Sequence, residues 1–300
     1  MKLRRAKISS YRKLIHFTPL RYPGGKGKLA SFVKKLIEVN DLMDGEYAEP
    51  YAGGAAIGLE LLFHEYVSRI HINDISRPVY SFWKSVLDRT DDLLRLMRDT
   101  RISVGVWDRQ KAILANQADY DDIALGFATF FLNRTNRSGI LNGGIIGGRD
   151  QAGPWKIDAR FNVAELSYRI EAIARLRNRI TLTGQDASIL LDEYRTSLSS
   201  KSLIYLDTPY YSKGKDLYYD YYEHQDHKNI ATFVTTKMGD RKWIVSYDNV
   251  PQIRQMYVGR TRITYSVGYS ARTVRRGDEV MFFGEGMRIP PILGAMQTLV

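Results

Sequence analysis

Leu29, Phe32, Val33, Leu36 and Ile37 recur on one face at helical spacing, which predicts a helix directly after the glycine-lysine turn RYPGGKGK at 21–28. EYAEPYAGGAAIGLELLF, 46–63, runs from a short strand through a glycine turn into a second helix. RIHINDIS, 69–76, alternates apolar and polar positions as a strand does, and ends in Asn-Asp. PVYSFWKSVLDR, 78–89, opens on a proline, as helix starts do, and Val79, Phe82, Trp83, Val86 and Leu87 make its apolar stripe. This order of strand, glycine turn, helix, strand and helix predicts parallel strands joined by crossover helices.

The rhythm breaks near residue 90. Residues 90–132 read as helical and end in the apolar run ALGFATFFL. NRTNRSGILNGGIIGGRDQAGPW follows, rich in Gly, Asn and Arg and without period. A helical pattern returns over 163–178, with Leu166, Ile170, Ile173 and Leu176 on one face. Strands are then expected at ITLT (180–183), LIYL (203–206), WIVS (243–246), RITYS (262–266) and EVMFF (279–283), with a helix over 226–238. No internal repeat interrupts this order. The expectation is an α/β domain formed by 1–89 and 166–300, split by a mainly helical insertion over 90–165.

Charge adds a partner to this picture. The formal net charge is +11, and Glu38 is the first acid after eleven lysines and arginines. Arg272, Arg275 and Arg276 form a second basic stretch. Such a balance suits a polyanion, most simply nucleic acid. The 20 tyrosines supply stacking area with a polar tip. With no cysteine, disulfides, thiol nucleophiles and cysteine-ligated zinc are excluded. No apolar run suits a transmembrane helix and no secretory core follows the basic start, so a cytoplasmic protein is expected. His224 and His227 stand three apart, yet no third ligand stands out, and no metal is expected.

Two stretches carry candidate chemistry. In EPYAGGAAIGLE, a glycine turn between strand and helix lets a ligand approach the backbone. Asp74 follows Gly54 by twenty residues, the distance at which an acid bonds a ribose hydroxyl in dinucleotide folds. Neither GxGxxG nor GxxxxGK[ST] is present, which favours an adenosine-type ligand without a pyrophosphate. In DTPYY, 207–211, Pro209 restricts Thr208 to an extended conformation. The Thr208 carbonyl then turns outward beside the Asp207 carboxylate, above the Tyr210 ring. An exocyclic amine on a flat base stacked on that ring can donate both its hydrogens to the two acceptors.

The motifs together resemble the DNA adenine-N6 methyltransferases in which the cofactor motifs precede the catalytic one. Asp207-Thr208-Pro209-Tyr210 is similar to that family's catalytic Asp-Pro-Pro-Tyr, with threonine in place of the first proline. Arg21-Tyr22-Pro23-Gly24-Gly25-Lys26 resembles its lysine motif, and Glu49-Pro50-Tyr51-Ala52-Gly53-Gly54 its acidic-Pro-aromatic motif. Asp74 in NDIS, FFLNRTNRSGI, GQDA at 184–187 and YSARTVRRGDEVMFF resemble further family segments in the same order.

The resemblance implies a Rossmann-like, S-adenosylmethionine-dependent methyltransferase sheet with an inserted DNA-recognition subdomain. It implies that Tyr22 and Lys26 meet the amino-acid end of the donor, with Gly25 also in the donor site. Glu49, Tyr51, Gly53 and Ala55 would then wall its methionine part, Asp74 and Ile75 hold its ribose, and Asp186 reach its adenine, with Asp207 adjoining the donor. Arg134, Asn136, Arg137, Asn142 and Arg149 become candidate readers of base edges, and Arg272, Arg275 and Arg276 candidate phosphate contacts. Double-stranded DNA is the implied partner, with the target adenine flipped out of the duplex. A cognate restriction endonuclease and a monomeric or weakly dimeric state fit this reading, as does a bacterial, archaeal or phage origin. Two alternatives stay open: transfer to another amine (cytosine N4, RNA adenine, a protein glutamine), and a non-catalytic DNA-binding relative.

Overall fold

A computed structural model of the chain describes residues 16–21, 29–212, 222–269, 275–291 and 297–298, of which 267–269, 275–277 and 297–298 are described as backbone only. In chain order the elements are α1 (Ala30–Val39), β1 (Gly45–Glu49), α2 (Ala56–Phe63), β2 (Val67–Asn73), α3 (Arg77–Asp88), α4 (Thr90–Asp99), α5 (Val104–Ala115), α6 (Asp122–Thr135), α7 (Val163–Ala174) and β3 (Ile180–Thr183). Then come α8 (Ala187–Ser197), β4 (Ser202–Asp207), α9 (His224–Thr236), β5 (Lys242–Asp248), α10 (Pro251–Met256), β6 (Arg262–Tyr269), β7 (Arg275–Phe283) and β8 (Gln297–Thr298). The expected mixed α/β fold is what forms.

Contacts divide the chain into two compact units. One holds residues 26–74 and 185–300, and seven strands lie in it in the order β2-β1-β4-β5-β7-β6-β8. The first four of these are parallel, and β7 pairs antiparallel with both β5 and β6. Parallel strands covered by helices lose their alternation and read as apolar runs. Leu203, Ile204, Tyr205 and Leu206 of β4 are accordingly all within 1% of full burial, as are Trp243, Ile244 and Val245 of β5. The buried face of α1, Phe32, Val33, Leu36 and Ile37, is the stripe seen in the sequence.

The other unit holds residues 1–25 and 75–184 and is mainly helical. It is wider than the 90–165 insertion the pattern suggested, because α3 packs on α6 rather than standing apart from it. The Phe82 and Phe130 rings stack at 5.7 Å, and Phe161 closes on Phe130 edge-on at 5.3 Å. Residues 90–132 are not one helix. Ser103 accepts from the Val106 N–H at 3.3 Å, and Asp121 from the Ala124 N–H at 3.0 Å, so two N-caps divide the run into α4, α5 and α6.

The α3–α6 contact depends on Gly126. A Cβ there would lie 2.4 Å from Ser85 Oγ and 2.5 Å from the Ser81 carbonyl oxygen, and the latter is backbone that cannot turn aside. Gly126→Ala is therefore expected to destabilise this unit by about 2 kcal/mol or more, read as a lowered midpoint in denaturant.

Candidate functional site at the carboxyl ends of the parallel strands

From β1 the chain steps outward to β2, whereas β4 and β5 lie on β1's other side. The strand order thus reverses between β1 and β4. In open α/β sheets, ligands bind outside the carboxyl ends of the strands at such a reversal. Both chemistry-bearing stretches of the sequence begin there: β1 ends at Glu49 and β4 at Asp207.

The first wall is the turn after β1. Asn73, at the end of β2, holds it in place. Its backbone oxygen accepts from the Ala52 N–H at 2.8 Å and its amide donates to the Pro50 carbonyl at 2.9 Å. The same amide donates to the Gln185 carbonyl at 3.0 Å, and Asn73 Oδ1 accepts from the Gln185 N–H at 2.9 Å. The turn reverses through left-handed backbone at Gly53 (φ 46°) and Ala55 (φ 45°). Ala55 lacks glycine's freedom, so the surrounding contacts hold it in a sparsely populated region. Asp74 Oδ2 accepts from the Gly53 N–H at 2.8 Å, which ties the acid to the glycine turn. Asp186 caps α8, accepting from the Ser188 N–H at 2.8 Å and from the Ser188 hydroxyl. Ile75 is 49% exposed.

Glu49 is the unusual group in this wall. It is 6% exposed, and its Oε1 accepts from the Tyr47 hydroxyl at 2.9 Å and the Gly58 N–H at 3.1 Å. Its Oε2 is buried without a hydrogen-bond partner among the described residues. Burial pushes its carboxyl up to about 8, against the pull of the two donors. Tyr51, next but one, has its hydroxyl 3.0 Å from that of Tyr222.

The second wall is the turn after β4. Asp207 is half-buried, and its Oδ1 accepts from the Ser246 hydroxyl at 2.8 Å. Thr208 is buried, Pro209 half-buried, and Tyr210 only 4% exposed. The Tyr210 hydroxyl donates to Glu279 Oε1 at 2.7 Å, and that of Tyr265 to Glu279 Oε2 at 2.8 Å. Glu279 is itself 1% exposed, a carboxyl held between two phenols. Ser246, Asp248 and Glu279 escaped the sequence reading. A signal was present: WIVSYD is a second apolar strand ending in an acid, as LIYLD is, and Glu279 is an acid beside the buried run VMFF.

His227 lies behind this turn, fully buried among the rings of Tyr211, Tyr222 and Tyr247. Asp226, between the two histidines, accepts from the Glu223 N–H at 2.9 Å and so caps α9. Burial lowers the His227 pKa to about 4. Between that value and the unfolded one near 6.5, the unfolded chain binds the extra proton, so stability falls as pH drops through this window. A loss of up to about 3 kcal/mol is expected between pH 7 and 4. Unfolding curves across that range would show it, and His227→Gln should flatten the dependence.

Tyr22, Gly25, Lys26 and Arg272 lie outside the described residues, and Arg275 and Arg276 are described only as backbone of β7. The remaining candidates for base reading fall in the helical unit. Arg137, Asn142 and Arg149 are exposed on the loop after α6. Arg149 forms a two-point pair with Asp108, at 2.8 and 3.0 Å. Arg134 donates to the Arg160 carbonyl at 2.7 Å, and burial lowers its pKa to about 10. Asn136 requires a correction. It is fully buried, its Oδ1 accepts from the Trp107 indole N–H at 2.6 Å, and its amide donates to the Ile140 and Leu141 carbonyls at 2.8 and 2.9 Å. Its side chain shapes the loop and presents nothing to a base edge.

A parallel sheet extended by antiparallel strands defines a Rossmann-like α/β protein, and the acids gathered at its strand reversal make the carboxyl edge the candidate ligand site. The chain belongs to the D12 class N6 adenine-specific DNA methyltransferase family, whose model matches residues 22–270. No curated protein matches it. Among solved structures it is similar to a candidate RNA methyltransferase from Pyrococcus horikoshii, at 10% identity and a TM-score of 0.43, over 95% of this chain and 98% of the other. It is also similar to the rRNA methyltransferase aviRa from Streptomyces viridochromogenes, at 11% identity and a TM-score of 0.39, over 88% and 86% of the two chains. No helix among the described residues is long and apolar enough to cross a membrane.

Proposed function

We propose that this protein is a site-specific DNA adenine-N6 methyltransferase that uses S-adenosylmethionine and acts on an adenine flipped out of double-stranded DNA. The observation that carries this reading is the placement of Asp207, with Thr208-Pro209-Tyr210 behind it, at the strand reversal beside the Glu49–Gly53–Asp74 wall. Membership of the family supports the substrate class.

The residues of the first wall suit the donor. A cationic centre beside the buried Glu49 carboxyl would favour its ionised form against the raising effect of burial, and the left-handed backbone at Gly53 and Ala55 fits a ligand close to the main chain. Asp74, fixed by the Gly53 N–H, fits a ribose diol. When bound, S-adenosylmethionine supplies an electrophilic methyl group. Gly25, Glu49, Tyr51, Gly53, Ala55, Asp74 and Asp186 would hold it, with Lys26 and Tyr22 at its amino-acid end.

Asp207 accepts one hydrogen of the adenine amine, and the Thr208 carbonyl accepts the other. Both acceptors draw the nitrogen lone pair away from the ring and stabilise the positive charge that develops on it. Alignment of the reacting atoms is worth about 7–11 kcal/mol in such displacements. The Tyr210 ring offers the base a stacking face of about 1–3 kcal/mol, against an extrusion cost of a few kcal/mol. That ring is nearly covered in this structure, so stacking requires its cover to be displaced. Arg137, Asn142 and Arg149 are the exposed groups suited to the duplex, and a net charge of +11 favours its approach.

Incubation with radiolabelled donor and separate DNA, RNA and protein substrates tests the reading. N6-methyladenine in digested DNA is the expected product. Label confined to cytosine, RNA or protein rejects it, as does donor binding without transfer.

A further inference from the structure

The turn from Asp207 to Ser212 is braced at both ends by residues of β5. Thr208 is 1% exposed, and its hydroxyl donates to the Ser246 carbonyl at 2.9 Å. The hydroxyl of the same serine donates to Asp207 Oδ1 at 2.8 Å and lies 2.9 Å from the Tyr205 hydroxyl. Two residues on, Asp248 accepts from the Tyr211 N–H at 2.8 Å and the Ser212 N–H at 2.9 Å. Pro209 stands between these braces with no N–H to add a tether of its own.

A buried side chain anchored at its hydroxyl has a fixed χ1, which orients the bonds at its Cα, and the Asp248 bonds to the Tyr211 and Ser212 N–H groups limit the turn of the following peptide from the other side. Proline alone limits the preceding residue to a broad extended region, which leaves the direction of the residue 208 carbonyl loosely defined. We propose that Thr208 is a positioning residue for methyl transfer. Its hydroxyl, bound to the Ser246 carbonyl, aims its own backbone carbonyl, while the Ser246 hydroxyl aims the neighbouring carboxylate. Serine 246 is thus the common anchor of both acceptors. This inference rests on the reading of Asp207 and the Thr208 carbonyl as acceptors for the amine. A misplacement of about 1 Å in such a site costs up to about a hundredfold in rate.

The test compares the wild type with Thr208→Val, which lacks the hydroxyl, and Thr208→Ser, which keeps it. Three quantities are measured: steady-state transfer from labelled donor to DNA, donor affinity by calorimetry, and hydrogen exchange at the amides of Tyr211 and Ser212. Thr208→Val is expected to lower kcat about tenfold, with KM for DNA and Kd for donor within about threefold of wild type, and to speed the exchange. Thr208→Ser is expected to stay within about threefold of wild type throughout. Wild-type kcat in the valine variant overturns the proposal. So does an equal loss in both variants, or a loss carried by KM or by donor affinity. Should the wild type transfer methyl to no DNA, the functional reading falls and exchange alone decides the tether: unchanged exchange in Thr208→Val overturns it, and faster exchange sustains it.

Discussion

Asp207→Ala is expected to abolish methyl transfer, with kcat reduced on the order of a thousandfold or more, while the protein still binds its donor within about threefold of wild type. The asymmetry follows from the two walls. Most groups suited to the donor belong to the end of β1, the turn after it and the end of β2, with Asp186 at the start of α8, and the hydrogen bonds that hold the turn run among Pro50, Ala52, Gly53, Asn73, Asp74 and Gln185. Asp207 is a partner in none of those bonds, and its Oδ1 accepts from the Ser246 hydroxyl. Asp207→Asn separates shape from chemistry. It keeps an oxygen for the Ser246 hydroxyl but turns N–H donors toward an amine that needs acceptors, so a loss close to that of alanine is expected. Single-turnover transfer and calorimetric donor binding on the same preparations check both statements. Retained turnover in Asp207→Ala would remove this residue from the reaction.

The second large effect concerns stability. Glu279→Ala removes the acceptor of two buried phenols, Tyr210 and Tyr265, and leaves space where a carboxyl stood. Each buried hydrogen bond lost costs roughly 0.5–1.5 kcal/mol and the space left adds to it, so a destabilisation of about 2 kcal/mol or more is expected in denaturant unfolding. Glu279→Gln retains one acceptor oxygen, and its amide can donate to the second phenol, so the loss should shrink to about 1 kcal/mol. Because Tyr210 is one of the two phenols, both variants should also lower transfer, the alanine variant more. A stability loss without any change in transfer would show that the Tyr210 hydroxyl is held for packing alone.

Much of the α/β frame was legible because its buried strands are apolar runs and its helices carry clean stripes. LIYL lies inside β4, and Phe32, Val33, Leu36 and Ile37 are the buried face of α1. The acid-glycine turn and the position of Asp74 could be read because local spacing sets them. What stayed hidden depends on contacts between residues distant in sequence. Nothing near residue 279 announces that β7 runs antiparallel beside β5, which is what carries Glu279 to Tyr210, 69 positions away. Asn136 looked like a base reader because short polar residues in glycine-rich loops have that chemistry. Its Oδ1 accepts from the Trp107 indole N–H, 29 positions away, and periodicity has no means of reporting such a pairing. The division of 90–132 was a different kind of miss, since Ser103 and Asp121 stood in the sequence as recognisable cap residues.

That Glu279 follows the parallel strands in the chain has a consequence for the protein's synthesis. Chains emerge from the ribosome amino end first, and β1, β2, β4 and β5 all precede the segment that bears this acid. A growing chain can therefore lay down its parallel strands before the Tyr210 hydroxyl meets Glu279. In the proposed reaction centre the phenol is therefore braced only once β7 has been translated, so methyl transfer is expected to need β7 as well as the strands made before it.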